Sequence, residues 1–88
     1  MLSKIPLKIS RKMTDKEILR VGMIAELDAI NLYEQMASLV SSRKIKEQLM
    51  DIAREEKTHL GEFQALLLMI DKEQEKELEE GRKEATSG

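Results

Sequence analysis

The sequence predicts an all-α protein in which two long helices form an antiparallel hairpin, followed by a short third helix. Residues that favour helices, mainly Glu, Lys, Leu, Met, Ala and Ile, dominate the chain. The single proline is Pro6, and no glycine-rich turn interrupts the middle of the sequence. Because only a few residues connect the two long helical segments, these helices must pack in antiparallel orientation.

The first predicted helix begins at a capping box. Thr14 is followed three positions later by Glu17 and then by an apolar run, which is typical of a helix N-terminus. We therefore expect a helix from Asp15 to about Val40. Residues 1–13 precede this cap and are predicted to form an N-terminal arm.

Two further caps predict the remaining helices. Ser42 is suited to cap a second helix that runs from about residue 43 to residue 69 or beyond. Asp71 with Gln74 repeats the capping-box pattern, so a break there should be followed by a third helix over 72–80. The alternative is one unbroken helix that continues into Glu80.

Gly81 is predicted to end the third helix, because glycine commonly follows the last helical residue. This division gives one helical domain over 14–80 and a flexible tail over 81–88. The charged stretch 72–83 is expected to be a solvated helix face, or alternatively a linker to a following domain.

The composition limits how such a domain can be stable. A chain of 88 residues with one Phe, one Tyr and no Trp has little material for a core of its own. The absence of Cys excludes disulfides, thiolate zinc sites, iron–sulfur clusters and thiol catalysis. Metal binding and oligomerisation remain as stabilising devices.

The charge balance excludes several classes of partner. With 15 basic and 17 acidic residues the net charge is −2, whereas a nucleic-acid-binding domain would be clearly basic. No apolar run reaches the roughly 18 residues of a membrane span, and residues 1–11 lack the apolar core of a secretion signal. We therefore expect a cytoplasmic protein that binds neither nucleic acid nor membrane.

The apolar surface of the first helix is too wide for a single neighbouring helix. A second copy of the chain would cover the excess, so we expect a homodimer in which two hairpins form a four-helix bundle. The apolar positions follow helical spacing in two adjacent rows: Leu19, Gly22, Met23, Ala29, Ile30, Tyr33, Ala37 and Val40, and beside them Ile18, Val21, Ala25, Leu32, Met36 and Leu39.

Three polar residues interrupt the apolar rows. Glu26 lies in the centre of the first helix, and Glu56 and His59, spaced i, i+3, lie in the centre of the second. Burying an unpaired carboxylate costs several kcal/mol. A salt bridge would offset this cost, but no Lys or Arg lies nearby on the inward rows. The remaining explanations are a rotated helix that leaves Glu26 in water, or a metal site.

The metal explanation agrees with the expected dimer. One Glu on one helix and Glu-x-x-His on its neighbour form half of the di-iron site of carboxylate four-helix bundles. Two copies would supply four carboxylates, whose charge two divalent ions would balance. Such ligands suit iron(II), manganese or zinc, and one imidazole for each ion leaves positions open for dioxygen or peroxide. This chemistry favours oxidation of iron(II) to iron(III).

Two runs resemble a known family. Residues 26–35, E-L-D-A-I-N-L-Y-E-Q, and residues 55–59, E-E-K-T-H, are similar to the encapsulated ferritin-like proteins, or half-ferritins, of the ferritin-like superfamily. The pattern E-x-x-A-x-x-x-Y is shared with rubrerythrins. The resemblance covers about residues 17–71 and implies a ferritin-like four-helix bundle formed by dimerisation around a ferroxidase centre, with further assembly into a ring, often a decamer.

The resemblance also implies roles for individual residues. It assigns Glu26, Glu56 and His59 as iron ligands, with Glu56 bridging, and places Tyr33 close to them. Asp28 matches one acid of an outer site through which iron enters. The family's second outer acid is replaced here by Ala25, so the resemblance carries over only one of the two acids of that outer site.

Members of this family oxidise iron that an encapsulin shell then stores as mineral, so the resemblance implies an encapsulin partner and a location inside an encapsulin nanocompartment. No shell-targeting peptide is recognisable in 83–88, and the chain resembles archaeal members that are fused in front of the shell protein. The resemblance therefore implies a fragment of such a fusion, with a standalone protein as the alternative. Two alternatives are a rubrerythrin-like peroxidase or oxidase, and a non-catalytic helical oligomerisation module.

Overall fold

The computed structural model describes residues 9–88, which contain three helices and no strand. The helices are α1 (Asp15–Leu39), α2 (Arg43–Ile70) and α3 (Lys72–Thr86). The predicted all-α class and the antiparallel hairpin with a third helix are confirmed. Of the predicted N-terminal arm, residues 1–8 lie outside the described residues, and 9–13 form no helix.

The capping box at the start of α1 is present as predicted. The Thr14 hydroxyl accepts a hydrogen bond from the Glu17 backbone N–H (3.3 Å), and the Thr14 N–H donates to Glu17 Oε1 (3.0 Å). Both bonds satisfy N–H groups that a helix start otherwise leaves unpaired. At the other end, the Val40 N–H still donates to the Met36 carbonyl, but Val40 itself is extended.

A short connection turns the chain from α1 into α2. The Ser42 side chain caps α2 by accepting a hydrogen bond from the Ile45 N–H (3.2 Å). The buried apolar residues at the contact between the helices are mostly small, which allows the two backbones to approach closely. They are Ala29, Ile30, Ala37, Ala53 and Leu67.

Asp71 ends α2 and begins α3. Its backbone N–H donates to the Leu67 carbonyl, and its carboxylate accepts a hydrogen bond from the Gln74 N–H (3.0 Å). The predicted break in front of the third helix is therefore confirmed, and the alternative of one unbroken helix is wrong.

The prediction that Gly81 ends the third helix is wrong, because α3 continues to Thr86. A glycine inside a helix costs only about 1 kcal/mol relative to alanine. Side-chain interactions span this glycine on the exposed surface: Arg82 pairs with Glu79 (2.8 Å) and Lys83 with Glu80 (3.7 Å). Of the predicted tail, only residues 87 and 88 are non-helical.

One face of the hairpin exposes large apolar side chains. This open apolar face consists of Ile18 and Met36 on α1 and Leu66, Met69 and Ile70 on α2. Ile18 and the three α2 residues line one shallow depression, so the two apolar surfaces are adjacent. None of the described helices is both long and apolar enough to cross a membrane.

Candidate metal centre

The hairpin brings Glu26, Glu56 and His59 together at mid-height. His59 Nδ1 lies 3.7 Å from Glu26 Oε2 and 3.6 Å from Glu56 Oε2. One potential ligand atom from each residue lies within 4.8 Å of the other two. This convergence follows from helix geometry, because residues spaced i, i+3 share one face of α2 and Glu26 points at that face from α1.

The two carboxylates are largely removed from water. The exposed fractions of the side chains are 17% for Glu26 and 19% for Glu56, whereas His59 is 46% exposed. Glu26 Oε2 is buried and has no hydrogen-bond partner among the described residues. An unsatisfied buried polar atom costs about 1–3 kcal/mol, so this oxygen is a candidate ligand atom for a cation from outside the chain. The alternative of a rotated helix with Glu26 in water is wrong.

The electrostatics of the cluster favour a cation. The pKa of Glu26 is raised, first because it can share a proton with the Glu56 carboxyl, and then because of burial and the charge of Glu56. The neighbouring His59 opposes this effect. Within the described part of the chain no Lys or Arg forms an ion pair with either carboxylate, and the nearby Lys57 instead pairs with Glu34 (3.0 Å).

The donor set fits a first-row divalent metal. Two carboxylates and one imidazole suit iron(II), manganese or zinc, and the buried oxygen of Glu26 has no hydrogen-bond partner in the described chain. His59 also lies on the same side of α2 as Leu66 and Ile70, which are seven and eleven residues further along. The cluster is therefore at the edge of the open apolar face.

The structure leaves the two other predicted residues outside this cluster. Tyr33 is half-buried on the same side of α1 as Glu26, about 10 Å further along the helix axis. Asp28 is also half-buried, but it lies about 200° around α1 from Glu26. Neither residue belongs to the group whose ligand atoms converge.

Sequence reasoning did not predict two contacts between the helices, one beside the centre and one at the end of α2. Gly22 and Phe63 touch one turn away from the ligands, and Lys16 and Arg20 bind Asp71 at the junction of α2 and α3. A glycine within an apolar row was the only sequence indication of the first contact. For the second, the capping role of Asp71 was visible in the sequence but its partners on α1 were not.

A helical hairpin that carries Glu on one helix and Glu-x-x-His on the next has the half-site of a ferritin-like carboxylate protein. The sequence profile of the Rubrerythrin family matches residues 17–87. The chain therefore belongs to the rubrerythrin family. The resemblance to encapsulated ferritin-like proteins and the ferritin-like fold are also supported by individual relatives.

Three relatives make this assignment more specific. The chain is 59% identical over 68 residues to a ferritin-like–encapsulin shell fusion protein of Pyrococcus furiosus, and this match covers 77% of the chain. It is 38% identical over 69 residues, 75% of the chain, to the encapsulin nanocompartment cargo protein EncC of Myxococcus xanthus. The crystal structure of the encapsulated ferritin domain from Pyrococcus furiosus superimposes with a TM-score of 0.78 at 47% identity, covering 100% of this chain and 97% of that one.

The chain spans only part of the two curated relatives. The matched region is 20% of the length of the shell fusion protein and 53% of the length of the cargo protein. The similarity therefore concerns the helical domain.

Proposed function

We propose that two copies of this chain form a ferroxidase that oxidises iron(II) to iron(III) for storage inside an encapsulin shell. The observation that carries the proposal is the convergence of Glu26, Glu56 and His59 around a buried carboxylate oxygen that has no partner within the described chain. Membership of the rubrerythrin family supports a di-iron centre, since ferritin-like four-helix bundles hold such centres with this ligand pattern.

The homodimer is proposed because one chain offers only half of the ligand set. The open apolar face would be buried by a second copy, and the half-exposed His59 at its edge would then enter the bundle core. A two-fold axis would bring together four carboxylates and two imidazoles. Two divalent ions would balance the four negative charges, which otherwise repel one another at low dielectric constant.

The residues have distinct roles in this proposal. Glu26 and Glu56 would hold iron(II). The family resemblance implies that Glu56 would be the carboxylate shared between the two ions. His59 provides one nitrogen ligand per ion and leaves positions open for the oxidant. Dioxygen would accept two electrons, one from each iron(II), together with two protons; it would leave as hydrogen peroxide, and the two ions would leave as iron(III). Tyr33 is proposed as a residue that lies close to the centre. Asp28 is proposed as part of the route by which iron enters.

The relatives support an encapsulin partner. One is described as a fusion to an encapsulin shell and another as an encapsulin cargo protein. We propose by analogy that this chain works inside an encapsulin nanocompartment in the cytoplasm. We further propose that its dimers assemble into a larger ring, with a decamer as the expected size.

Iron(II) oxidation in air, followed by the absorbance of iron(III), tests the proposal. The Glu56→Gln variant keeps the size of the side chain but removes the charge of a ligand, and it should lose most of the activity. Glu55→Gln is the matched control, because Glu55 is the exposed neighbouring acid. Equal rates for the wild type and Glu56→Gln would refute the ferroxidase.

The family assignment also keeps a peroxidase as a second candidate, because rubrerythrin is the family that matches. The chain has no Cys to form a rubredoxin module, so a peroxidase would need a separate electron donor. Measuring oxidation with dioxygen and with hydrogen peroxide separates the two functions. A reaction with peroxide alone would favour the peroxidase.

A further inference from the structure

Gly22 on α1 lies against the ring of Phe63 on α2. Among the glycines of the described chain, it is the one whose added Cβ would meet another residue within 4 Å. A Cβ atom placed on Gly22 would lie 2.5 Å from Phe63 Cε1, 2.7 Å from Cδ1 and 2.9 Å from Cζ. Real Cβ atoms do not approach other atoms so closely. The edge of the aromatic ring therefore occupies the space that any other residue at position 22 would fill.

This contact lies directly beside the ligand cluster. Gly22 precedes Glu26 by four residues, and Phe63 follows His59 by four, so each is one helical turn from a ligand on its own helix. Because α1 and α2 are antiparallel, both displacements point to the same end of the hairpin. The ring and the glycine form the layer that adjoins the ligand layer.

Small residues lie on the opposite side of the ligand layer. Ala29 follows Glu26 by three residues and Ala53 precedes Glu56 by three, and both are buried. The ligand layer is thus enclosed between a glycine–aromatic contact and a pair of alanines. Both neighbouring layers keep the helices close, which the ligand atoms require in order to converge within 4.8 Å.

We propose that Gly22 and Phe63 are a positioning pair that fixes the separation of Glu26 from Glu56 and His59. Neither residue offers a metal ligand; each acts through the ligand one turn away. The glycine lets the α1 backbone approach the ring, and the ring in turn supports the turn of α2 that carries His59. This inference rests on the proposed metal centre and adds the element that sets its geometry.

Cobalt(II) binding to the full chain, followed by visible absorption, tests the pair without relying on iron oxidation. Gly22→Ala forces the ring to move, so affinity should fall by about tenfold to a hundredfold, as for other residues that orient metal ligands. The absorption bands should also shift, because they report ligand geometry. Gly61→Ala is the matched control: it is the same substitution inside α2, its added Cβ meets nothing within 4 Å, and binding should be unchanged.

A second variant distinguishes positioning from loss of structure. Gly22→Ala with Phe63→Leu removes the clash with the ring and should recover part of the cobalt affinity. If circular dichroism shows that Gly22→Ala does not fold, the single variant Phe63→Leu tests the proposal instead. Phe63→Leu that binds cobalt with wild-type affinity and an unchanged spectrum would overturn the proposal. Folded Gly22→Ala that binds cobalt like the wild type would overturn it as well.

The same cobalt measurements would give a different result if the proposed metal centre itself were wrong. In that case the wild type would bind no cobalt, or Glu56→Gln would bind it equally well. Either result would overturn the positioning role together with the centre. Cobalt binding that Glu56→Gln abolishes and Gly22→Ala leaves intact would overturn the positioning role alone.

Discussion

Asp71 Oδ2 lies 2.8 Å from Arg20 Nη2, and this ion pair ties the first third of α1 to the junction of α2 and α3. Lys16 approaches the same oxygen at 3.8 Å, while the other carboxylate oxygen accepts a hydrogen bond from the Gln74 N–H. The Asp71 side chain is only 7% exposed. One buried carboxylate therefore ends one helix, begins the next and fixes both against α1.

Replacing Asp71 by Asn should destabilise the protein in a pH-dependent manner. The backbone hydrogen bond from Gln74 is the largest cause that holds the pKa of Asp71 below its ordinary value of 3.8; Lys16 and Arg20 lower it further, while burial opposes them. A carboxyl group whose pKa is lowered by folding stabilises the native state above its unfolded pKa, and this contribution disappears as the pH falls through the lower, folded value.

Thermal unfolding of the wild type and Asp71→Asn should therefore differ at neutral pH, and the difference should shrink as the pH falls below 3.8 and through the lower pKa of the folded state. Asparagine still caps α3, so the difference isolates the charge. Glu47→Gln is the control, because it removes an exposed pair with Arg43 and should change stability by no more than about 0.5 kcal/mol. A gap between wild type and Asp71→Asn that is constant with pH would contradict the ion pair.

Much of this architecture can be predicted from the sequence because local chemistry determines it. Thr14, Ser42 and Asp71 are caps whose side chains bond to backbone groups three residues away, so the helix starts are encoded locally. The end of α3 could not be predicted in the same way. Gly81 suggested an ending, but a helical glycine costs only about 1 kcal/mol, and exposed pairs such as Arg82 with Glu79 offset part of that cost.

Some features of the candidate site can also be predicted from local sequence patterns, and others cannot. Polar residues at the centres of apolar rows predicted Glu26, Glu56 and His59, because helical periodicity alone places them on facing sides. The contact of Gly22 with Phe63 depends on the register between two helices, which no local pattern determines. For the same reason, sequence spacing could not establish whether Tyr33 and Asp28 approach the ligands.

Glu26→Gln should stabilise the metal-free protein and abolish its response to metal. The pKa of Glu26 is raised, first by the hydrogen bond it can share with Glu56 and then by burial and the charge of Glu56, so an ionised Glu26 is disfavoured here when no cation is present. A neutral amide removes this repulsion, and we expect a gain of about 1 kcal/mol in the free energy of unfolding. Denaturant unfolding in the presence of a chelator measures it, with Glu55→Gln as the exposed control. A destabilised metal-free Glu26→Gln would show that the carboxylate is needed for folding itself.

Divalent metal should stabilise the wild-type protein and promote its assembly. Metal that binds only the folded dimer, at a hundred times its dissociation constant, would add about 2.7 kcal/mol for each site. We expect the melting temperature to rise with iron(II) under anaerobic conditions or with cobalt(II), and a chelator to reverse the change. Glu56→Gln should show no such rise. Unchanged stability and unchanged oligomer size after chelation would exclude a structural contribution of the metal.

Leu66→Glu should separate the dimer and inactivate it while leaving every ligand in place. Leu66 is 51% exposed on the open apolar face, on the same side of α2 as His59, so a charge there would have to be buried on pairing. Leu27→Glu is a closely matched control, since Leu27 is 50% exposed but projects from the other side of α1. Light scattering should show smaller particles for Leu66→Glu than for Leu27→Glu, and iron(II) oxidation should be lost only in the former. Full activity in a monomeric Leu66→Glu would mean that one chain suffices, and the shared centre would then be wrong.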